Sequence, residues 1–198
     1  MKFLFDLGGV FFDWNPRFFY KQFFKKTDEL DFFLTNICND EWNLKQDAGR
    51  LIIDGEKELI EKFPNYESMI KLYYPNHRLM IKDTYKESID LLNELKLKNY
   101  KCFVLSNWSE ETYVGIEEIY PFLKKFDGKI ISGVEKLVKP SLKIYQLAIK
   151  RFNLIPKNTI FIDDRKKNIE SAEKLGFQTV HLTNPKIIKS KIYNFLKK

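Results

Sequence analysis

KFLFDLGGV, residues 2–10, is a short apolar run that breaks off at Asp6 into a pair of glycines. Such a run reads as a buried strand, and Gly8 and Gly9 permit the sharp turn that must follow it. The pattern returns downstream in KCFVLSN (101–107), GKIISG (128–133), TIFIDD (159–164) and QTVHL (178–182). Between these runs, SLKIYQLAIKRF (141–152) and RKKNIESAEKLG (165–176) carry helical spacing, the second ending at Gly176. Strands alternating with helices predict an α/β fold, a three-layer Rossmann-like parallel sheet covered on both faces. Ligands bind beyond the carboxyl ends of such strands. Polar residues collect there: Asp6 after the first run, Ser106 and Asn107 after the second, Asp163 and Asp164 after IFI.

After Pro16 the character changes. PRFFYKQFFKKTDELDFFLTNICNDEW (16–42) spaces its apolar residues by one, three and four, as helices do. DGEKELIEKF (54–63) and YESMIKLYY (66–74) continue as short helical pieces, and TYKESIDLLNELKLKNY (84–100) reads as a longer amphipathic helix. The expected organisation is therefore discontinuous, with residues 1–15 and 81–198 forming the α/β core and residues 16–80 an inserted all-helical cap. Phe19, Tyr20, Phe23 and Phe24 read as cap core. His77 and His181 lack a partner pattern and read as structural.

A chain of 198 residues holds one core plus a small inserted subdomain. The net charge of +7 comes from lysines interleaved with acids, as in KESIDLLNELKLKNYK, with no arginine-rich stripe or nucleic-acid motif, so a nucleic-acid partner is not expected. A basic balance does suit an anionic metabolite. No run reaches the ~20 apolar residues of a membrane span. Asp6 interrupts the opening before a signal-peptide apolar region forms, and Cys38 and Cys102 form no CxxC pair. A cytoplasmic protein is expected.

Taken singly, an Asp after a strand is a turn or cap residue and a Lys-Pro step a loop. Together, three strand ends place carboxylates and a hydroxyl around one crevice, with Lys139 entering from EKLVKPS (135–141). Carboxylates so close repel one another, so their coexistence points to a cation, and hard oxygen ligands suit Mg²⁺. Ser106, Lys139 and backbone N–H groups of the glycine turn would hold phosphoryl oxygens.

The order and wording of these pieces resemble the haloacid dehalogenase superfamily: FDLGGV its first motif, VLSN its second, LVKPSLKIY its third and FIDDRKKNIESAEKLGF its fourth. The helical insertion resembles the cap placed after the first strand in one subclass. DLGGVFFDWNP, SNWSEET and SGVEKLVKP are similar to the branch that includes glucose-1-phosphate phosphatase-like proteins. The resemblance implies a Mg²⁺-dependent phosphatase acting on a small phosphorylated metabolite. Asp6 would be the nucleophile, forming an aspartyl-phosphate, and would bind metal with the Gly8 carbonyl and Asp164. Ser106, Asn107 and Lys139 would bind the phosphate, Asp163 would reach the metal through water, and Asn168 would support the lysine. Most phosphatases of the family carry a second Asp two residues after the nucleophile as general acid and base. Here that position is Gly8, so the leaving oxygen must depart unassisted or take its proton elsewhere.

Two other readings stand beside this one. A metal-independent 2-haloacid dehalogenase shares the nucleophile, the Ser-Asn pair and the lysine, but generally lacks the acidic pair Asp163–Asp164. A non-catalytic phosphate- or metal-binding module would explain the missing acid. For substrate selection, the cap residues expected to reach the crevice are Asn15, Arg17, Trp42, Asp47 and Arg50.

Overall fold

The computed structural model describes residues 1–196. Among the described residues seven strands are present: β1 (Lys2–Phe5), β2 (Phe12–Trp14), β3 (Ile81–Thr84), β4 (Lys101–Ser106), β5 (Gly128–Ile131), β6 (Thr159–Asp163) and β7 (Gln178–His181). The helices before β3 are α1 (Pro16–Tyr20), α2 (Thr27–Phe32), α3 (Asp40–Asp47), α4 (Ile52–Lys62) and α5 (Glu67–Ile70). Those after it are α6 (Lys86–Leu97), α7 (Glu110–Tyr113), α8 (Ile116–Ile119), α9 (Ser132–Glu135), α10 (Leu142–Arg151), α11 (Lys166–Lys174) and α12 (Ile188–Leu196).

Five strands form one parallel sheet in the order β5-β4-β1-β6-β7, so the first strand of the chain is its centre. Covered on both faces, β1 must be apolar on both, and alternate residues go to opposite cores. Phe3 and Phe5 join Leu91, Leu92, Leu95, Ile188 and Ile192 beneath α6 and α12. Leu4 joins Ile144, Tyr145, Ala148, Ile169 and Ala172 beneath α10 and α11. This is the expected three-layer α/β arrangement.

Register sets the site. Phe5 pairs with Val104 on one side and Ile162 on the other, which brings Asp6 level with Asp163 at the same sheet edge. The loop after β1 is fastened from behind by Ser88, whose hydroxyl donates to the Val10 carbonyl at 2.6 Å. β2 and β3 pair antiparallel as a small ribbon outside the main sheet. Neither was expected: the sequence reading put Thr84 at a helix start, but Thr84 ends β3 and α6 begins at Lys86.

Between α1 and the end of a 3₁₀ turn at His77–Met80, short helices and one π-helical turn (Phe33–Ile37) pack about their own apolar cluster. Phe19, Tyr20, Phe33, Trp42, Leu59 and Tyr73 are buried in it, Phe24 packs against it, and Phe23 is exposed. No helix is long and apolar enough to cross a membrane among the described residues.

Candidate active site

Asp6 follows β1 directly and is nearly buried. Its Oδ1 accepts the Leu7 N–H at 2.7 Å and lies 2.9 Å from Lys139 Nζ. The Lys139 side chain is completely buried, and its Nζ also donates to Asp163 Oδ2 at 2.7 Å. Burial alone would lower the Lys139 pKa, but the Asp163 and Asp6 carboxylates outweigh it and hold the ammonium above its ordinary value. For Asp6, burial dominates and pushes the carboxyl up to about 6, against the pull of Lys139.

Asn107 holds the lysine. Its Nδ2 donates to the Lys139 carbonyl and its Oδ1 accepts the Lys139 N–H, both at 2.9 Å, so the amide clamps the lysine backbone and has both polar atoms engaged there. Ser106, the last residue of β4, is buried. Asn168 supports the lysine only through Asp163: its Nδ2 donates to the two Asp163 oxygens at 2.9 and 3.0 Å. The Arg165 N–H adds a bond to Asp163 Oδ1 at 2.8 Å. Every oxygen of Asp163 is thus held by protein.

Asp164 differs. Among the described residues, no other residue donates a hydrogen bond to its carboxylate, although one oxygen of each of Asp6, Asp163 and Asp164 lies within 4.8 Å of the others. Burial, then Asp6, raises its pKa, while Lys139 and Arg165 oppose. Gly9 makes room for it: at φ +66° the backbone favours glycine, and a Cβ there would lie 2.5 Å from Asp164 Cγ. Asp6, Asp164 and the Gly8 carbonyl offer hard oxygen donors with no competing protein partner on Asp164, which fits a cation such as Mg²⁺. At Gly8 a Cβ would meet nothing within 4 Å.

Asp6, Gly8, Gly9, Asn107, Lys139 and Asp164 line a cavity of about 430 Å³ to which the helical segment also contributes, while Ser106 and Asp163 are not among its lining residues. Asn15, Arg17 and Asp47 line it, whereas Trp42 and Arg50 do not. Trp42 is a core aromatic whose Nε1 donates to the Gly55 carbonyl at 2.9 Å. Arg50 pairs with Glu58 and donates Nε to Gln46 Oε1 at 2.6 Å. Asn15 caps α1, accepting the Arg17 N–H at 2.9 Å, and the Arg17 guanidinium pairs with Asp31.

Several lining residues escaped the sequence reading: Trp14, Asn43, His77, Tyr85, Trp108 and Arg165. His77 is buried between Trp14 and Trp108, ring centroids 5.7 Å from each, and burial lowers its pKa to about 4. His181 is exposed, its Nε2 2.9 Å from the Asp164 carbonyl. Asn43 was findable, lying one turn before Asp47 on α3, and so was Arg165, directly after the acidic pair. Arg165 also reaches the helical segment through Asp40 at 2.9 Å, an exposed pair of small energetic worth.

A family model described as haloacid dehalogenase-like hydrolase matches residues 3–176. A sesquiterpene phosphatase of Aspergillus oryzae is 26% identical over 193 residues, covering 91% of this chain and 89% of its own. A (S)-2-haloacid dehalogenase of Burkholderia cepacia is 26% identical over 98 residues, 50% of this chain and 42% of its own. Among solved structures, an enzyme of the same family from Bacteroides thetaiotaomicron, in complex with magnesium and inorganic phosphate, superposes with a TM-score of 0.68 at 24% identity, covering 90% of this chain and 92% of that one. At that identity the likeness carries the fold.

Proposed function

The chain belongs to the haloacid dehalogenase-like hydrolases, and from that premise we propose that it is a Mg²⁺-dependent phosphatase that attacks a small phosphorylated metabolite with Asp6. The observation that carries this reading is the Asp164 carboxylate, half-buried beside Asp6, to which no other residue donates among the described residues. A dehalogenase attacking carbon gains nothing from such a group, whereas a phosphatase needs a cation among its acids. Bound Mg²⁺ would supply positive charge to the phosphoryl oxygens.

In this reading Asp6 Oδ2, which carries no hydrogen bond among the described residues, is the attacking atom, while Oδ1 is fixed by Leu7 and Lys139. Lys139 stays protonated and balances negative charge on Asp6 and Asp163 and on the arriving phosphate. Asn107 and Asn168 set the lysine's position, one through its backbone and the other through Asp163. A cavity of about 430 Å³ suits a small metabolite; sugar phosphates are the first to try.

The deciding experiment is a coupled phosphate-release and halide-release assay, with Mg²⁺ and with excess chelator, on native protein and Asp6→Asn. We expect phosphate release that chelation abolishes, Mg²⁺ restores and Asp6→Asn lowers by several orders of magnitude with the fold intact. Chelator-resistant halide release would establish the dehalogenase instead.

A further inference from the structure

The core leaves the leaving oxygen without a proton donor. Asp6 is the nucleophile, Asp163 is held on both oxygens, Asp164 serves the cation, and Gly8 has open space where an acid would stand. The cap wall does contain a carboxyl fixed in place. Asp47, at the end of α3, lines the cavity that Asp6 closes from below, and its side chain ends a directed chain of hydrogen bonds.

Gln46 Nε2 donates to the Tyr74 hydroxyl at 2.7 Å, the Tyr74 hydroxyl donates to Asn43 Oδ1 at 3.0 Å, and Asn43 Nδ2 donates to Asp47 Oδ2 at 3.1 Å. Gln46 is itself fixed, because Nε2 also donates to the Trp42 carbonyl at 2.9 Å and Oε1 accepts from Arg50. Each amide therefore has one permitted orientation, and the network turns a donor toward Asp47 from behind. Asp47 also ties the helical segment to the sheet side through its backbone carbonyl, which accepts from the Ser132 hydroxyl at 2.6 Å.

We propose that Asp47 is the general acid and base of this site, replacing from the cap the acid that position 8 lacks. The proposal rests on the phosphatase reading. In the first step Asp6 Oδ2 bonds to phosphorus, the P–O bond to the leaving group breaks, and its electron pair stays on that oxygen, which takes the Asp47 proton. In the second, water bonds to phosphorus as the Asp47 carboxylate takes its proton, the P–O bond to Asp6 breaks, and Asp6 leaves as a carboxylate. Phosphate is released and Asp47 is a carboxyl again.

The charge around Asp47 fits the part. Burial dominates and pushes its carboxyl up to about 7; Arg165 and the Ser109 N–H oppose, while Asp40 and Asp6 add to the rise. An acid titrating near the working pH can donate in one step and accept in the next.

The test compares kcat/KM for 2,4-dinitrophenyl phosphate, whose leaving group needs no proton, with that for phenyl phosphate, whose leaving group does. In Asp47→Asn the ratio of the first to the second should rise ~10²–10⁴-fold, the usual worth of general acid catalysis. Adding Gly8→Asp to Asp47→Asn should bring the ratio back toward native. An unchanged ratio in Asp47→Asn, with both rates lowered equally or neither lowered, overturns the proposal. If Asp47→Asn does not fold, the native protein decides: kcat/KM for phenyl phosphate must fall about tenfold per pH unit above about 7, as Asp47 loses its proton, and the dinitrophenyl ester must lack that limb. Identical pH profiles overturn it. Absence of Asp6-dependent phosphate release from either ester overturns the phosphatase reading and this proposal with it, whereas an unchanged ratio sinks Asp47 alone.

Discussion

Replacing Lys139 by Met keeps the length and methylenes of the side chain and removes the charge. In the native protein that charge is completely buried, 2.9 Å from Asp6 and 2.7 Å from Asp163. Without it, two carboxylates remain in a desolvated site with no cation facing them. Removing one partner of a buried ion pair costs ~3–5 kcal/mol. At ~2–4 °C per kcal/mol for a chain of this size, the metal-free protein should melt roughly 6–20 °C lower. The loss should depend on pH. Burial already raises the Asp6 pKa to about 6, above an unfolded value of ~3.9, and without Lys139 it must rise further. A carboxyl whose folded pKa exceeds its unfolded one destabilises the native state increasingly as pH climbs through the folded value, and ceases to do so once both states hold the proton. The gap between native and Lys139→Met should therefore be wider at pH 8 than at pH 5, measured by thermal melts in excess chelator. A gap of equal size at both pH values, or one below ~1 kcal/mol at pH 8, would show that Lys139 is not the counter-charge of the site.

Gly9→Ala should force Asp164 aside, since the new Cβ would stand 2.5 Å from its carboxyl carbon, and the left-handed backbone adds ~1–2 kcal/mol. The Mg²⁺ concentration for half-maximal phosphate release should rise sharply, and an unaltered Mg²⁺ titration would refute Asp164 as a ligand. Asn107→Ala strips both amide bonds from the Lys139 backbone, leaving buried polar groups unpaired at ~1–3 kcal/mol each. It should lower both melting temperature and kcat, and a normal kcat in the folded variant would show that the lysine does not depend on this clamp.

The sheet was legible because parallel strands covered on both faces must be apolar throughout, and FLF, CFVL and IFI have nowhere else to go. Strand ends then placed Asp6, Asp163 and Asp164 at one edge, where the structure brings their oxygens within 4.8 Å. The β2–β3 ribbon was not legible: its three- and four-residue strands pair across the whole helical segment, and no local pattern announces a contact of that range. Helix α12 was legible and unread, with Ile188, Ile192, Phe195 and Leu196 at helical spacing. Roles are harder to read where sequence shows a functional group but not its partner. Asn107 next to Ser106 looks like a phosphate ligand, and only the fold shows both ends of its amide bonded to Lys139.

Arg50 and Trp42 were misplaced for a related reason, and their true positions bear on how α3 is organised. Both were expected at the substrate, yet both touch Gln46, one through its Oε1 and the other through its Nε2. Gln46 is fully buried and has no bond to the cavity floor. What it fixes is the Tyr74 hydroxyl, hence which way the Asn43 amide faces, hence the donor that meets Asp47. A polar chain of this length inside an aromatic cluster is costly unless every member is satisfied, and here one flipped amide would leave a buried donor facing a donor. The sequence DEWNLKQDAGR (40–50) therefore encodes orientation as much as helix: Asn43 and Asp47 meet the cavity, while Trp42, Gln46 and Arg50 stand behind them. Cavity-lining residues and the groups packed behind them alternate along α3 and its exit, and periodicity by itself cannot tell one set from the other.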